Sequence, residues 1–433
     1  KTHNQNTYKS YYLGLMIQKL LKTSLGIISE TDRDHYKNKR VDLSGFLINE
    51  LYRELFEKFK KNVKLKIDNR YERDYKKGKF TDMNFFIQDG NIRTIFDYTI
   101  IENDLDKSYR TKWGTGISAR DGVVQDINRN TLLGTTAVLR RVTFPLPSGS
   151  KAIGPRKLHG SQWGYICPSE SPDGGNVGIV NHLAISSGVS FWINPSGIIN
   201  CLNDLKLIPL DHIVPDDTYF LTKVFINNMW IGIHQDPVLL YKKLTLYKRN
   251  AIINVLTSIY WDMKNNEIYI NTDQGRLVKP LIKLTDNTSK LFSDDFDIDS
   301  KKWVDFIYGI RTGKNCSLYD SNYYKQDIGS DEELEENACI IEYLDSSEME
   351  NVMIATNYKS INTDIKYTHC EIHCALILSA TVNTIPFPQH AQAPRNVYSA
   401  HQMKQTMGVY NTNFGSRFET FSHILHYPQR PLV

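Results

Sequence analysis

Apolar positions recur at helical spacing from the start of the chain. Leu13, Ile17, Leu20, Leu21 and Leu25 share one face, and Gly26 follows as a stop. A second stripe joins Phe46, Leu47, Leu51, Leu55, Phe56 and Phe59, with Glu54, Glu57, Lys58 and Lys60 on the other side. Both stripes predict helices whose apolar faces lie in a core. From 110 to 182 the periodicity fades, and Gly, Pro, Arg, Asn and Ser become frequent. Loops of that make-up carry function when a scaffold holds them. Residues 185 to 285 read as strands. Phe191-Trp192-Ile193 and Ile198-Ile199 flank the turn sequence Asn194-Pro195-Ser196-Gly197. Val224-Phe225-Ile226 and Met229-Trp230-Ile231 flank Asn227-Asn228, and Asn residues tolerate the positive φ of a tight hairpin. Asn265-Asn266 repeats the device, and a helix from about Pro237 to Ser258 interrupts the strands. Residues 286 to 337 are polar and acidic, with Asp294-Asp295-Phe296-Asp297 and Asp331-Glu332-Glu333, and read as a solvated insertion.

Composition narrows the class. The 433 residues are 41% hydrophobic and 23% charged, which fits a folded chain of several domains and excludes a fibrous or disordered one. The net charge of +4 is too mild to argue for nucleic acid, so any basic surface must be local. No window approaches 18 uncharged apolar residues, so no membrane span is expected. Six scattered cysteines are expected to be reduced thiols. The two ends read as cuts through a longer protein.

Gly114-Thr115-Gly116-Ile117-Ser118-Ala119 imitates a dinucleotide loop, but Arg110-Thr111-Lys112-Trp113 before it is no buried strand. His369-Cys370-x-x-His373-Cys374 invites zinc, yet neighbours on a strand face opposite ways, and buried thiols and imidazoles are the preferred reading. Leu139-Arg140-Arg141, the Pro/Gly loop up to Lys151, and Pro155-Arg156-Lys157-Leu158-His159 gather cations that could grip successive phosphates. Cys167-Pro168-Ser169-Glu170-Ser171-Pro172-Asp173-Gly174 sets two carboxylates in a proline-fixed turn, for which a structural use is favoured. Gln389 to Asn396 and Met403-Lys404-Gln405-Thr406-Met407-Gly408 cluster polar side chains in a pattern that suits a phosphate- or sugar-reading surface.

On these residues the chain resembles the second-largest, beta-like subunit of multisubunit DNA-directed RNA polymerase, in its eukaryotic, archaeal and large-DNA-virus branch. Blocks in the family's order include Asp32-Arg33-Asp34-His35-Tyr36, Gln125 with Asn128-Arg129, Leu139-Arg140-Arg141, Pro155 to His159, Trp163 to Gly174, Asp273-Gln274-Gly275-Arg276, Thr368 to His373, and Pro386 to Gly408. The resemblance implies a multidomain α+β fold. Residues 1–75 would end the lobe and return into the protrusion, 76–184 would hold the fork and its loop, 185–285 and 286–378 would be the two external regions, and 379–433 would open the hybrid-binding region. It implies template-directed nucleotidyl transfer to an RNA 3′ end, performed only with the largest subunit.

The resemblance also distributes roles. Arg395 and Asn396 would face the incoming nucleotide's phosphates. Lys404, Gln405, Gln125, Arg140 and Arg141 would line the RNA and the hybrid. Lys151, Arg156, His159 and Glu170 would neighbour the fork loop and the active centre. No catalytic residue and no metal ligand is expected in this chain alone, because Mg2+ at the shared centre would be held by the largest subunit. Expected partners are the other polymerase subunits, template DNA, nascent RNA and ribonucleoside triphosphates, with no membrane. The expected location is the nucleus, or a virion or cytoplasmic viral factory for a viral protein. The competing expectations are a non-catalytic nucleic-acid-binding scaffold of this family and an unrelated enzyme using the 114–119 glycines.

Overall fold

A computed structural model describes residues 2–78, 89–115, 119–146, 149–213, 217–293, 302–309, 330–361 and 364–406. Its helices are α1 (Thr2–Ser24), α2 (Ser44–Lys76), α3 (Asp89–Ile95), α4 (Thr99–Arg110), α5 (Leu132–Leu139), α6 (Ser196–Asp204), α7 (Asp217–Phe220), α8 (Pro237–Arg249), α9 (Trp303–Tyr308), α10 (Asp331–Glu336) and α11 (Ala393–Gln405). Its strands are β1 (Arg141–Thr143), β2 (Val180–His182), β3 (Gly188–Val189), β4 (Ile208–Pro209), β5 (Thr222–Ile226), β6 (Met229–His234), β7 (Ser258–Asp262), β8 (Glu267–Asn271), β9 (Leu277–Lys283), β10 (Ile341–Asp345), β11 (Ile354–Ala355) and β12 (His369–Cys370). The chain folds into two compact units, each gathered from separated stretches. The first takes Lys1–Ser44, Ile153–Pro168 and Leu183–Leu378, and the second takes Gly45–Ala152, Ser169–His182 and Ser379–Val433. This mixture of helix and sheet is the expected α+β class.

The first unit holds two sheets. One runs in the order β4-β6-β5-β8-β7, with β5 and β8 parallel and the other pairs antiparallel. The β5–β6 turn is the expected one: Asn227 and Asn228 both take positive φ, at 47° and 63°. Asn266 does the same at 52° before β8. Ile198 and Leu202 of α6 and Leu240 and Leu244 of α8 pack on Val224, Ile268 and Ile270 of this sheet. The other sheet runs β10-β9-β12-β11, with β3 also on β9.

Four expectations fail here. Phe191-Trp192-Ile193 lies outside every strand. Ile198-Ile199 is helical rather than a strand, because Ile198, Cys201 and Leu202 form one buried helical face while the Asn194 carboxamide oxygen accepts from Ser196 N–H at its start. The helix from Pro237 stops at Arg249, where Asn250 caps it and Ala251 turns left-handed at φ 52°. The stripe on α1 is bare: Leu13, Leu20 and Leu25 are 57%, 70% and 75% exposed. Instead, Leu15 with the rings of Tyr8, Tyr11 and Tyr12 meets Leu210, Phe225 and Trp230. Tyrosine rings bury their bodies as well as leucines do, so a count of aliphatic residues selected the wrong face.

The acidic run is only partly visible. Asp294 to Asp297 lies outside the described residues. Asp331 to Glu336 forms α10, where Ser330 and Glu333 cap each other's backbone N–H groups. Leu334 pins this helix into the core beside α8.

The Asp273-Gln274-Gly275-Arg276 block fastens the N-terminal arm to this unit. Arg40 Nε donates to Asp273 at 2.5 Å, and Val41 N–H donates to the Gly275 carbonyl at 2.8 Å. Gly275 takes φ 85°, and a Cβ there would lie 2.5 Å from the Val41 carbonyl oxygen, so only glycine fits. Arg276 continues inward to Asp345 at 3.3 Å. Other buried ion pairs tie the second sheet to α8: Lys248 to Glu348 at 2.6 Å and Arg249 to Glu342 at 2.9 Å. His369 Nε2 also meets Glu342, at 3.1 Å, and Cys370 Sγ lies 3.3 Å from the Glu371 carbonyl. His373 Nδ1 accepts from Ala375 N–H. The His369–Cys374 block thus spends its side chains on separate neighbours. Among the described residues no three His, Cys, Asp or Glu side chains group to hold a metal.

In the second unit, Leu51 and Leu55 of α2 are buried as the sequence indicates, against Trp113, Ile101 and Leu105, while Phe56 lies 41% exposed between Tyr52 and Phe59. Trp113 pairs with Arg120 in an isolated antiparallel bridge, and Thr115 hydrogen-bonds Glu54. Gly114 and Thr115 therefore follow a helix and a turn, and Gly116 to Ser118 lies outside the described residues.

Candidate nucleic-acid interface

In the second unit, β1 and β2 pair antiparallel, with Arg141 opposite His182 and Thr143 opposite Val180. Residues paired across such a ribbon put their side chains on one face. Arg141 and Thr143, two apart on β1, share that face. Gln125 spans them, accepting from Arg141 Nη1 at 2.8 Å and lying 3.4 Å from the Thr143 hydroxyl. Gln125 also donates to the Gly122 carbonyl at 2.9 Å. Arg140 caps the end of α5 immediately before β1.

Glu170 closes the other side. It is buried, and its Oε1 accepts from Lys404 Nζ at 2.9 Å. His182 Nε2 stands 3.6 Å from the same oxygen, and His182 Nδ1 lies 3.3 Å from the Glu170 carbonyl. Burial alone would raise the Glu170 carboxyl, but His182, Lys404 and the Ser379 hydroxyl outweigh it and hold the group below its usual range. Burial pushes His182 down to about 4, so the ring is neutral near pH 7. Burial also draws Arg140 and Arg141 below the usual guanidinium range, and Glu170 partly offsets this for Arg141.

Lys404 is placed by its helix. α11 ends at Gln405 and packs on α5 through a close backbone approach. Asn128 Nδ2 donates to the Lys404 carbonyl at 3.0 Å, and that oxygen lies 3.1 Å from where a Gly134 Cβ would be. Gly134 thus lets the first turn of α5 meet the last turn of α11. Sequence reasoning missed His182, Gly134 and Ser379. The one legible signal is a histidine inside the apolar run Gly178-Ile179-Val180-Asn181-His182-Leu183-Ala184.

The other expected site residues stand elsewhere. Arg395 is exposed, with its guanidinium 5.9 Å over the Tyr398 ring. Nine residues separate it from Lys404 on one helix, which is about 13 Å along the axis and roughly half a turn around it. The two therefore face different directions. Asn396 turns inward and donates to the Pro388 carbonyl at 2.8 Å. Gln405 is exposed beside His401. Lys151 is exposed in the second unit. Arg156 and His159 belong to the first, where His159 Nδ1 accepts from Ser161 N–H and Nε2 meets Asp32 at 2.8 Å. That makes His159 a cap of a short turn.

The cluster sets two cations, Arg141 and Lys404, against the carboxylate of Glu170, and Arg140 precedes Arg141 at the end of α5. Mg2+ takes several oxygen ligands, and Glu170 offers one carboxylate already bound to Lys404, so these residues do not fit the ion. Four family models match in chain order: RNA polymerase Rpb2 domain 2 over 1–42, domain 3 over 125–189, domain 4 over 224–285 and domain 6 over 381–433. The chain belongs to the family of the second-largest subunit of DNA-directed RNA polymerase. It is 34% identical to DNA-directed RNA polymerase II subunit RPB2 of Encephalitozoon cuniculi, over 99% of this chain and 35% of that one. It is also 34% identical to DNA-directed RNA polymerase II subunit 2 of Arabidopsis thaliana, over 99% and 34%. Against DNA-directed RNA polymerase subunit Rpo2 of Saccharolobus solfataricus it is 30% identical, over 98% and 35%. The chain thus spans about a third of the length of these curated relatives. They are eukaryotic and archaeal, and lend no support to a viral origin.

Proposed function

We propose that this chain forms part of a DNA-directed RNA polymerase and that its second unit lines the RNA–DNA hybrid during nucleotidyl transfer to the RNA 3′ end. The observation that carries this reading is that Glu170 accepts from Lys404 while His182, the ribbon partner of Arg141, stands beside the same carboxylate, which joins stretches more than two hundred residues apart. Arg140, Arg141 and Lys404 would contact phosphates, with Gln125 setting the angle of Arg141. Gripping the backbone rather than base edges lets any template sequence pass. Phosphoryl transfer relies on positioning and charge neutralisation, which fixed cations supply.

Arg395, on the opposite side of α11, would meet the triphosphate of the incoming nucleotide, with Asn396 and Gln405 nearby on the same helix. Lys151, Arg156 and His159 would stand around the fork. Mg2+ would be held by the largest subunit, so activity would need that subunit along with template, RNA and ribonucleoside triphosphates. The five-part division of the chain and a nuclear location belong to the same reading. The test is Lys404→Ala and Arg141→Ala in the assembled polymerase. Each should weaken hybrid binding and lower its salt slope by about one. Arg395→Ala should instead raise the KM for nucleotide. Weakened binding with undiminished synthesis would favour a scaffold derivative, and no effect on either would refute the reading.

A further inference from the structure

His182 has a geometry that phosphate contacts do not explain. A carbonyl oxygen has no proton to give, so Nδ1, 3.3 Å from the Glu170 carbonyl, must be the protonated nitrogen. In a neutral ring Nε2 is then a lone pair. It is buried, makes no hydrogen bond, and points at Glu170 Oε1 from 3.6 Å. Two acceptors facing each other in a buried place leave a gap that one proton would fill.

Lys404 keeps that proton out. Its ammonium supplies the charge Glu170 needs, and with Arg141 across the ribbon it repels further positive charge. If Lys404 swings to an RNA phosphate, as the proposed function requires, Glu170 stays behind as a buried carboxylate without its cation. Such a charge is strongly unfavourable unless another group pairs with it. Of the groups around the His182 ring, Lys404 has left, Arg141 is held by Gln125, and the Ser379 hydroxyl is neutral. The imidazole already abuts the carboxylate.

We propose that His182 is a positioning residue that couples release of Lys404 from Glu170 to uptake of one proton at Nε2. The proton comes from solvent water. The imidazolium then donates from Nδ1 to the Glu170 carbonyl and from Nε2 to its carboxylate, which holds Glu170 in place until Lys404 returns and the proton leaves. Engagement of the RNA end thereby becomes proton-linked, with affinity falling up to about tenfold per pH unit as pH rises through the linked window.

This inference rests on the proposed hybrid contact, and its test separates the two. The assembled polymerase is titrated with an RNA–DNA hybrid by calorimetry, in two buffers of different ionisation enthalpy, from pH 5.5 to 8. Wild type should take up close to one proton more than His182→Gln or His182→Asn, whose amides can donate to Glu170 without titrating. Both variants should bind hybrid with a flattened pH profile. Lys404→Gln should lose the proton linkage and bind more weakly. Equal proton uptake in wild type and both His182 variants overturns the inference and leaves the hybrid reading intact. Unchanged affinity in Lys404→Gln and Arg141→Gln overturns the hybrid reading, whatever the proton count.

Discussion

Gly134→Ala sets helix propensity against packing at the α5–α11 contact. In an exposed helix alanine would stabilise by up to about 1 kcal/mol over glycine. Here the new methyl would meet Thr131 Oγ1 at 2.9 Å, Asn128 Nδ2 at 3.1 Å and the Lys404 carbonyl at 3.1 Å. Thr131 Oγ1 is the N-cap of α5, accepting from Gly134 N–H, and displacing it forfeits about 1 kcal/mol. Breaking the Asn128 bond to the Lys404 carbonyl forfeits about 1 kcal/mol more. Forcing a methylene into a filled contact adds at least about 1 kcal/mol. The losses outweigh the gain, so the net effect is destabilisation by about 2 kcal/mol. Because the strain falls on the last turn of α11, Lys404 also shifts away from Glu170. Urea unfolding should show a lower midpoint with an unchanged slope, and primer extension by the assembled polymerase should slow. A variant that gains stability and extends RNA at the wild-type rate would refute the close approach.

Three more outcomes follow from the first unit. Gly275→Ala should lose about 3 kcal/mol, combining left-handed strain with a clash on the Val41 backbone. Gly26→Ala, also at positive φ but with open space, should lose only about 1 kcal/mol, and equal melting temperatures for the pair would contradict this. Burial works against ionised Glu342, yet Arg249, His369 and Lys248 hold it well below the usual carboxylate range. Its folded value is thus the depressed one, so its contribution is present above the ordinary glutamate range and is lost as pH falls below it. Glu342→Gln should therefore flatten the acid limb of a pH-dependent melt, and an unchanged limb would count against the pairing. Lys248→Met leaves Glu348 buried without its cation and should destabilise by about 3 kcal/mol or more, while Lys248→Met with Glu348→Gln, whose carboxamide oxygen can still accept from Ile259 N–H, should recover part of that loss.

What could be read from sequence followed from local chemistry. Asn227-Asn228 announced its turn because two adjacent residues tolerant of positive φ are enough to define one. Leu51 and Leu55 announced their core because a helix repeats in sequence the face it buries in space. The α1 face was misread because three tyrosines act as its apolar residues. Ile198-Ile199 was misread because a short apolar run fits a strand or a helix equally well, and only the packing of Cys201 and Leu202 decides. At the site, Arg140, Arg141, Glu170 and Lys404 were nameable through family resemblance. Their mutual geometry was not, since β1, β2 and α11 meet across long loops that no periodicity records. Arg395 shows this limit most sharply. Both it and Lys404 fall in the polar stretch from Gln389 to Gly408, but nine helical residues turn the two side chains apart.

The position of Glu170 explains why the cluster can be stable before any nucleic acid arrives. Two half-buried cations, Arg141 and Lys404, would repel one another, and each would lack the solvation it has in water. Removing one charge from that count is the task of a carboxylate, and an exposed carboxylate would do it weakly, because water screens such pairs to a fraction of a kcal/mol. Buried against β2 and fixed by the Ser379 hydroxyl, Glu170 holds Lys404 in one place with little freedom to lose. Arg141 is held instead by the neutral carboxamide of Gln125, which orients the guanidinium without cancelling its charge. The two cations are therefore restrained differently, one by an ion pair and one by a hydrogen bond to a neutral amide; under the proposed function a phosphate would have to displace the first and could join the second. Under the proposed hybrid contact, Arg141 would be the standing contact and Lys404 the exchangeable one. Glu170→Gln should accordingly strengthen hybrid binding chiefly through Lys404, with a smaller effect on the contribution of Arg141. A double-mutant cycle of Glu170→Gln with Lys404→Ala should show strong coupling, whereas one with Arg141→Ala should show clearly weaker coupling. Coupling of equal size in both cycles would mean that the two cations answer to Glu170 alike, and the division of labour would fall.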